Sequence, residues 1–338
     1  MKFDTHIHPK TPAMSLDAAG LIALADLTTV QERTALTGTS SLLDLLVLVP
    51  GIHLQQRATD LHNGEYPARG ALTTGYVFRV ENPATVYYLQ KVGRTGHLTT
   101  LKVTKLDDHK QWWAKMASKV VPLHNLNFVS GAAYFMAVSW GIVAIILMAL
   151  ARDWWGIAVV GILIGARAIN AFVISRRSNP GWFGRSEGNE NGDLLILLSQ
   201  DRWIRMKGLV DHLKAVTSGQ WLRDESTFES RVTAIATVTV YLAAALASNI
   251  HQFGKILLLA LLIGSVGLLA IANTSTDELQ MHGHLVKVAA QPKAYKRRLD
   301  LANDLITETG RDDWAVRMGM IVKNVPSTDT ERAGKVVM

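Results

Sequence analysis

Two pairs of alternating histidines are the residues whose types and spacing could bind a metal ion. His6 and His8 lie in DTHIHP, near the start of the sequence, and His282 and His284 lie in MHGHLV. Side chains at positions i and i+2 of a strand point to the same face, so each pair could present two imidazole rings to one ion. Imidazole is a common ligand of zinc, copper, iron and nickel, and both pairs could meet around a single ion.

Neither pair has the further ligands that a metalloenzyme needs. DTHIHP is a pattern with which many metal-dependent amidohydrolases begin, but their (β/α)8 barrel requires more histidines and an aspartate on later strands. Apolar segments occupy that part of the chain, and no carboxylate pattern accompanies either pair. The sequence has no cysteine, which excludes thiolate catalysis and disulfides. We therefore expect a solvated polar N-terminal stretch, no metal ion and no cofactor.

Polar side chains inside long apolar segments form a second group of candidates. Arg167 and Asn170 lie in GARAIN, and Tyr241 lies in a run rich in Thr and Ala. An ionisable residue within a membrane span is a functional-site candidate, so Arg167 could contact an anion or a substrate. Arg167 is also only about seven residues, or roughly 10 Å of helix, from the end of its segment. Its guanidinium could instead reach the lipid headgroups and have a structural role.

Four apolar segments contain these residues and determine the fold class. They cover residues 128–150, 154–174, 232–250 and 256–272. A bilayer core about 30 Å thick needs about 20 helical residues, so each segment can form a span. The first and fourth segments have no polar face, which a core helix of a soluble protein usually keeps. The sequence therefore predicts a mainly α membrane protein with four transmembrane helices and a small α+β cytoplasmic portion.

Short links join the four segments into two predicted hairpins, residues 126–174 and 232–272. The links carry only Arg152 and Lys255, whereas nearly all other Lys and Arg lie on the opposite side. The positive-inside rule therefore places both termini and the connection 175–231 in the cytoplasm of a multi-pass protein. This topology also explains the net charge of +7 through contact with anionic lipid, without nucleic acid as a partner.

Small residues predict how the spans pack. Gly161 and Gly165 form a GxxxG pattern in the second segment, and the third segment contains a run of alanines. Small residues allow helix backbones to approach closely in lipid. The pattern predicts close packing within the monomer, with a dimer interface as the alternative.

The chain before the first span divides into two regions. Residues 1–74 predict a loosely ordered region with short helices that lie on the bilayer surface or against the cytoplasmic portion. In residues 75–125, GYVFRV, TVYYLQKV and HLTTLKVTKL are rich in β-branched and aromatic residues and predict three antiparallel strands. An amphipathic helix then leads into the first span.

The regions after the second and fourth spans are also cytoplasmic in this interpretation. Residues 175–231 contain DLLILLSQDRWIRMKG, which predicts a β-hairpin turned at residues 199–201, and LVDHLKAVTSGQWL, which predicts a helix. The C-terminal tail, residues 273–338, contains a predicted amphipathic helix along the membrane surface.

The segment GDLLILLSQDRW, followed by LKAVTSGQWL, resembles a group of uncharacterised fungal multi-pass membrane proteins. The likeness covers roughly residues 125–275, and the first 70 residues depart from it. It implies a fungal membrane protein that acts beside a biosynthetic pathway. It implies no activity, and no catalytic residue is carried over from it.

Three functions remain open at this point. A non-enzymatic accessory or scaffold protein comes first, because a sizeable cytoplasmic surface has no catalytic constellation. A membrane-embedded enzyme for a hydrophobic metabolite comes second and would use Arg167, Asn170 and Tyr241. An oligomeric transporter or channel comes third, because none of the four segments contains an acidic residue for a proton relay. The expected partners are the lipid bilayer and either a protein or a second copy of this chain.

Overall fold

The computed structural model describes residues 19–106, 127–179 and 181–322. The α-helices are α1 (Thr29–Thr37), α2 (Pro83–Val92), α3 (Phe128–Leu150), α4 (Trp154–Arg177), α5 (Val210–Thr217), α6 (Thr227–Leu246), α7 (Gln252–Thr274), α8 (Arg298–Thr309) and α9 (Asp313–Arg317). The strands are β1 (Ala68–Ala71), β2 (Val77–Arg79), β3 (His97–Lys105), β4 (Asn191–Leu198), β5 (Arg202–Leu209), β6 (Glu278–Met281), β7 (His284–Val288) and β8 (Lys293–Ala294). Short 3-10 helices cover Ala19–Leu24, Leu43–Leu46, Ile52–His62 and Ala247–Asn249.

Four helices of the described chain are long and apolar enough to cross a membrane. They are α3, α4, α7, and α6 together with the 3-10 turn that follows it. All four predicted apolar segments are therefore helical at spanning length, which indicates a membrane protein. α6 begins at Thr227, before the predicted start, because Ser226 and Glu229 form a capping box at its N-terminus.

Each spanning helix packs most extensively against a helix from the other predicted hairpin. α3 packs on α7, and α4 packs on α6. The Trp140 indole of α3 donates a hydrogen bond to the Ala260 carbonyl oxygen of α7, at 3.1 Å. Asp153 caps α4 by accepting from the Gly156 N–H at 3.0 Å, and it also accepts from the His251 N–H at 3.1 Å. Asp153 thus joins the two links, and the four helices form one bundle.

The GxxxG pattern does not mediate packing within the described chain. A Cβ placed on Gly161 or Gly165 meets no atom of the described residues within 4 Å. A Cβ on Gly141 of α3, by contrast, would lie 2.4 Å from the Leu46 carbonyl oxygen. The glycine that permits close approach therefore faces the N-terminal part of the chain. Gly161 and Gly165 do not make the expected contact with any residue that the structure describes.

Residues 19–62, called the threaded segment below, run through the bundle. A Cβ on Gly20 would lie 2.5 Å from Ala247, at the end of the third span away from the sheet. Asn273, at the sheet end of the fourth span, donates a side-chain hydrogen bond to the Thr29 carbonyl oxygen at 2.8 Å. Residues 20–29 therefore pass from one end of the bundle to the other.

The threaded segment then turns back into the bundle. Leu46 contacts α3 at Gly141, about 20 Å along the helix from its N-terminus. The 3-10 helix Ile52–His62 returns to the sheet end, where the Gln56 amide donates to the Asn170 carbonyl oxygen at 3.1 Å. Irregular backbone at membrane depth is tolerated only where protein surrounds it, so the spanning helices must shield this segment from lipid.

α1 packs partly on the sheet, which is one of the two expected positions, but the rest of the threaded segment lies inside the bundle. Val47, Leu48 and Val49 are each 1% exposed, because they pack between the spanning helices. Asp26 and Asp44 interrupt the apolar residues of the segment, so its composition does not distinguish a helix on the bilayer surface from a segment buried between helices. Asp44 is buried and hydrogen-bonded inside the bundle, whereas Asp26 is exposed.

One mixed sheet lies at the end of the bundle where α4 ends and α3 begins. Its order is β2-β1-β4-β5-β3-β7-β6, and β8 also pairs with β3. The β3–β5 pair is parallel, and the other pairs are antiparallel. The sheet therefore combines the predicted regions 75–125 and 175–231 with β1, β6, β7 and β8, which the sequence did not predict as strands.

The segment TVYYLQKV is a helix, and its prediction as a strand was wrong. Asn82 caps α2 by accepting from the Thr85 N–H at 3.1 Å, and Pro83 occupies the first turn. ENP is therefore a helix start signal rather than a turn. The helix buries Tyr88 and Leu89 in the main core of the sheet. β2 and β3 lie in the two flanking segments expected to be strands. Their predicted antiparallel arrangement was wrong, because β2 pairs with β1 and β3 pairs in parallel with β5.

The predicted β-hairpin after the second span is confirmed as β4 and β5. Leu198 pairs with Arg202, and Gln200 and Asp201 turn the chain with φ of 60° and 53°. α5 follows β5, as expected. The amphipathic helix predicted before the first span lies outside the described residues.

Helices cover both faces of the sheet. α2 and α5 pack on one face together with Ile174 near the end of α4. α8 and α9 pack on the other face, where Leu301 and Trp314 join Trp203 and Leu195 in a second core. The helix predicted in the C-terminal tail is thus present, but its predicted position along the membrane surface was wrong, because its apolar face packs on the sheet.

Candidate functional site

Arg167 is fully inside the bundle and binds the threaded segment. Its exposed fraction is 1%. Its Nη1 donates to the Gln55 side-chain oxygen at 2.6 Å, and its Nε donates to the Asp44 carbonyl oxygen at 3.2 Å. Arg167 therefore holds two parts of the threaded segment together, and its side chain does not extend to the lipid headgroups.

Asn170 lies one turn further along α4 and has the same kind of partners. Its side-chain oxygen accepts from Gln56 at 3.2 Å, and its side-chain nitrogen donates to the Ala166 carbonyl oxygen at 3.2 Å. Gln56 also accepts a hydrogen bond from Arg177 at 2.9 Å. The structure thus brings Arg167 and Asn170 together in one polar seam between α4 and the threaded segment.

Tyr241 does not join this seam. It lies on α6 with 49% of its surface exposed. Its ring is near the imidazole of His53, with 5.8 Å between the ring centroids. Of the three predicted intramembrane residues, Tyr241 is the one that faces outward.

A buried cluster of Arg33, Asp44 and Tyr134 lies beside Arg167 and was missed by the sequence reasoning. The Tyr134 hydroxyl of α3 donates to the Asp44 carboxylate at 2.8 Å. The other carboxylate oxygen accepts from the Ser41 N–H at 2.6 Å. The Arg33 guanidinium of α1 lies over the Tyr134 ring, 4.8 Å from its centroid. The sequence signal for this cluster was Tyr134, because it places a hydroxyl group within a span that has no charged residue.

His282 and His284 contact different neighbours. His282 lies in the turn between β6 and β7, and its ring centroid is 5.2 Å from that of Phe183. His284 lies on β7, with its ring centroid 4.7 Å from that of His212 on α5. The described ranges contain no group of three or more His, Cys, Asp or Glu that could hold a metal ion. His6 and His8 lie outside the described residues.

The His212–His284 pair has lowered pKa values. Burial is the main cause for His284, and repulsion from His212 adds to it, so the pKa of His284 falls to about 4. Burial and the positive charge of Lys105 lower the pKa of His212. Since a histidine pKa is ordinarily about 6.5, His284 is neutral at neutral pH.

An open cavity of about 880 Å³ lies between the bundle and the sheet, at the end of α4. Sites for small molecules typically measure about 300–1,000 Å³. Two lining arginines are held by acids, since Arg177 pairs with Glu225 at 2.8 Å and Arg176 pairs with Glu229 at 3.4 Å. The other charged, aromatic and apolar residues of the lining include Asp60, His62, Tyr66, Glu81, Trp182, Leu222, Arg223 and Asp224. This mixture suits a molecule with both charged and apolar parts.

No protein-family model, curated protein or solved structure matches this chain. The likeness of residues 125–275 to fungal membrane proteins therefore stays a prediction.

Proposed function

We propose that the protein is a multi-pass integral membrane protein that serves as a non-enzymatic accessory or scaffold component. The supporting observation is that Arg167 and Asn170 bond to the threaded segment and to their own helix. Their polar atoms hold the structure together and do not converge on an open space. The two residues that were the strongest candidates for chemistry within the membrane thus have structural partners.

The sheet is the part of the molecule that would contact a protein partner. β2 is an edge strand, and an edge strand presents unpaired N–H and C=O groups to other chains. Tyr76 and Phe78 beside this edge are 60% and 55% exposed. Aromatic residues are enriched in protein interfaces, so this edge is the expected contact.

Affinity purification of the full chain in mild detergent tests this function. We expect one protein, or a second copy of the chain, to co-purify in a fixed ratio. Phe78→Asp should remove it, and Leu299→Asp, at another exposed apolar residue, should retain it. A purified chain with no such protein, together with the build-up of one metabolite in a deletion strain, would contradict a scaffold and favour an enzyme.

We also propose that the sheet and the C-terminal part face the cytoplasm. Most Lys and Arg outside the spans lie on this side, in agreement with the positive-inside rule. The four spans alone predict a cytoplasmic N-terminus as well, but Ala19–Leu24 lies at the opposite end of the bundle. We therefore propose that residues 19–29 make an additional crossing.

Single cysteines can test this topology, because the chain has none of its own. Leu21 and Leu299 are 60% and 48% exposed, at opposite ends of the molecule. In sealed vesicles, an impermeant maleimide should label Leu21→Cys and Leu299→Cys from opposite sides. Labelling of both from the same side would exclude the additional crossing, and release of the chain by carbonate would exclude membrane integration.

The cavity at the end of α4 favours a second candidate, an enzyme that acts on an amphipathic or hydrophobic metabolite. Gln220 lines the cavity, and Gln220→Trp should fill part of it. Asn303→Trp, on the exposed face of α8, is the matched control. Mass spectrometry of extracts should then show a small molecule with the wild type and the control but not with Gln220→Trp. Its absence from all three proteins would leave the scaffold as the better proposal.

A further inference from the structure

Arg33 is a buried cation without a hydrogen-bond partner among the described residues. Its side chain is on α1, within the threaded segment, and its exposed fraction is 2%. All three guanidinium nitrogens are buried and unbonded within the described chain. A guanidinium stays charged in proteins and has five N–H donors, so such an arrangement requires an acceptor to be stable.

The charges around Arg33 do not balance. Asp44 is the acidic residue that acts electrostatically on both Arg33 and Arg167. These three side chains are 4%, 2% and 1% exposed, respectively. The two arginines and the single aspartate leave one net positive charge inside the bundle. Buried charges are normally paired, because transfer of an isolated ion out of water is unfavourable.

The neutral groups nearby do not compensate for this charge. The Asp44 carboxylate already accepts hydrogen bonds from Ser41 and Tyr134, at 2.9 Å and 2.8 Å from their hydroxyl groups. Arg33 lies over the face of the Tyr134 ring, and this face attracts a cation. The ring does not accept hydrogen bonds from the guanidinium N–H groups, which lie in the plane of the guanidinium. A negatively charged acceptor would accept hydrogen bonds from the unpaired Arg33 N–H groups and would also neutralise the net positive charge.

We propose that Arg33 binds an oxyanion, a carboxylate or a phosphate, inside the helix bundle. A guanidinium binds either group through two parallel N–H···O bonds. Val30, Val47 and Leu269 pack in the same buried cluster as Tyr134, so apolar side chains surround this cation. A lipid or fatty acid headgroup and a free anion share this chemistry, and the experiment separates them.

The test uses the full chain purified in an uncharged detergent, with oleate, phosphatidic acid or inorganic phosphate as the probe. Thermal unfolding should show a saturable rise in midpoint with oleate or phosphatidic acid. Arg33→Met should weaken the apparent affinity by about tenfold or more, since it removes a charge-assisted hydrogen-bond pair. Arg57→Met, at an exposed arginine on the same segment, should respond like the wild type.

The same variant gives a second readout without any probe. In protein freed of bound lipid by detergent exchange, Arg33 is an uncompensated charge, so Arg33→Met should unfold at the same or a higher temperature than the wild type. A large fall in midpoint would show that Arg33 has only a structural role and would overturn the proposal. The proposal also fails if no probe raises the midpoint, or if Arg33→Met responds like the wild type.

Arg33→Lys keeps the test decisive if Arg33→Met does not fold. A lysine ammonium keeps the charge but cannot form the two parallel bonds, so a weaker affinity supports the proposal and an unchanged affinity overturns it. A response to the amphiphiles alone identifies a lipid-borne headgroup. An equal response to inorganic phosphate identifies a free oxyanion at the same site.

Discussion

Two buried arginines, Arg205 in the sheet and Arg33 in the bundle, have opposite surroundings. Arg205 is 6% exposed and is bonded to two carboxylates, Asp193 at 2.6 Å and Glu308 at 2.6 Å. These hydrogen bonds raise its pKa above the ordinary value despite the opposing effect of burial. Arg33 is 2% exposed and has no hydrogen-bond partner in the described chain.

The contrast shows that a buried arginine is neutralised differently in the two regions. Acids are abundant near the sheet, so a buried guanidinium can be neutralised by side chains of the chain itself. Within the bundle, Asp44 is the carboxylate available to both Arg33 and Arg167, because the spanning helices supply almost only apolar groups. Arg33 and Arg167 therefore depend on one carboxylate, and four predictions test this difference, from the largest expected effect to the smallest.

Asp44→Asn should have the largest effect. It removes the carboxylate shared by Arg33 and Arg167 and leaves both charges in the bundle uncompensated. Loss of one partner of a buried ionic cluster typically costs about 3–5 kcal/mol. Thermal unfolding in detergent measures the loss. Asp60→Asn, in a solvent-exposed pair with Arg57, is the control and should change stability by less than about 1 kcal/mol.

Gly141→Ala should have the next largest effect. The new methyl group would lie 2.4 Å from the Leu46 carbonyl oxygen, so the threaded segment must move. Overpacking of this kind typically costs about 1–3 kcal/mol. Gly161→Ala is the matched control, because no described atom lies within 4 Å of its Cβ. A loss with Gly161→Ala as large as that with Gly141→Ala would show that the GxxxG face packs after all.

Asp193→Asn should have a smaller effect than Asp44→Asn. Arg205 keeps its two hydrogen bonds to Glu308, at 2.6 Å and 2.8 Å, so its charge stays neutralised. We expect a loss of about 1.5 kcal/mol, the lower end of the range for a hydrogen bond to a charged group. The same unfolding measurement applies. A loss equal to that of Asp44→Asn would remove the distinction between the two regions.

The pH dependence of the sheet should give the smallest effect. The pKa of His284 is about 4 in the folded chain and near 6.5 in the unfolded chain. The unfolded state therefore binds more protons between these values, and the free energy of unfolding should fall as the pH decreases from about 6.5 to about 4. His284→Phe should flatten this slope, and His97→Phe should leave it unchanged. An identical slope in both variants would assign the pH dependence to other groups.

The sequence predicts regular elements well where their pattern is local. The four spans follow from length and composition, and the β4–β5 hairpin follows from a turn between two apolar runs. TVYYLQKV fails because its residues favour strands, whereas the Asn82 cap and Pro83 start a helix.

The candidate site could be predicted only in part. Arg167 and Asn170 were visible because polar residues contrast with an apolar span. Arg33 and Asp44 lie in a polar segment, where nothing local shows that the spanning helices surround them. Their contacts with α3 and α4 join residues about a hundred positions apart in the chain.

The path of the threaded segment has a consequence for biogenesis. Residues 19–62 leave the ribosome before the four spans, yet Gly20 and Thr29 contact Ala247 and Asn273, which are made more than two hundred residues later. Irregular backbone and buried ionic groups are unstable in lipid alone, so the segment must wait outside the bilayer until the helices around it have been inserted. Final assembly of the protein is then post-translational, and the interval exposes this stretch to chaperones and proteases.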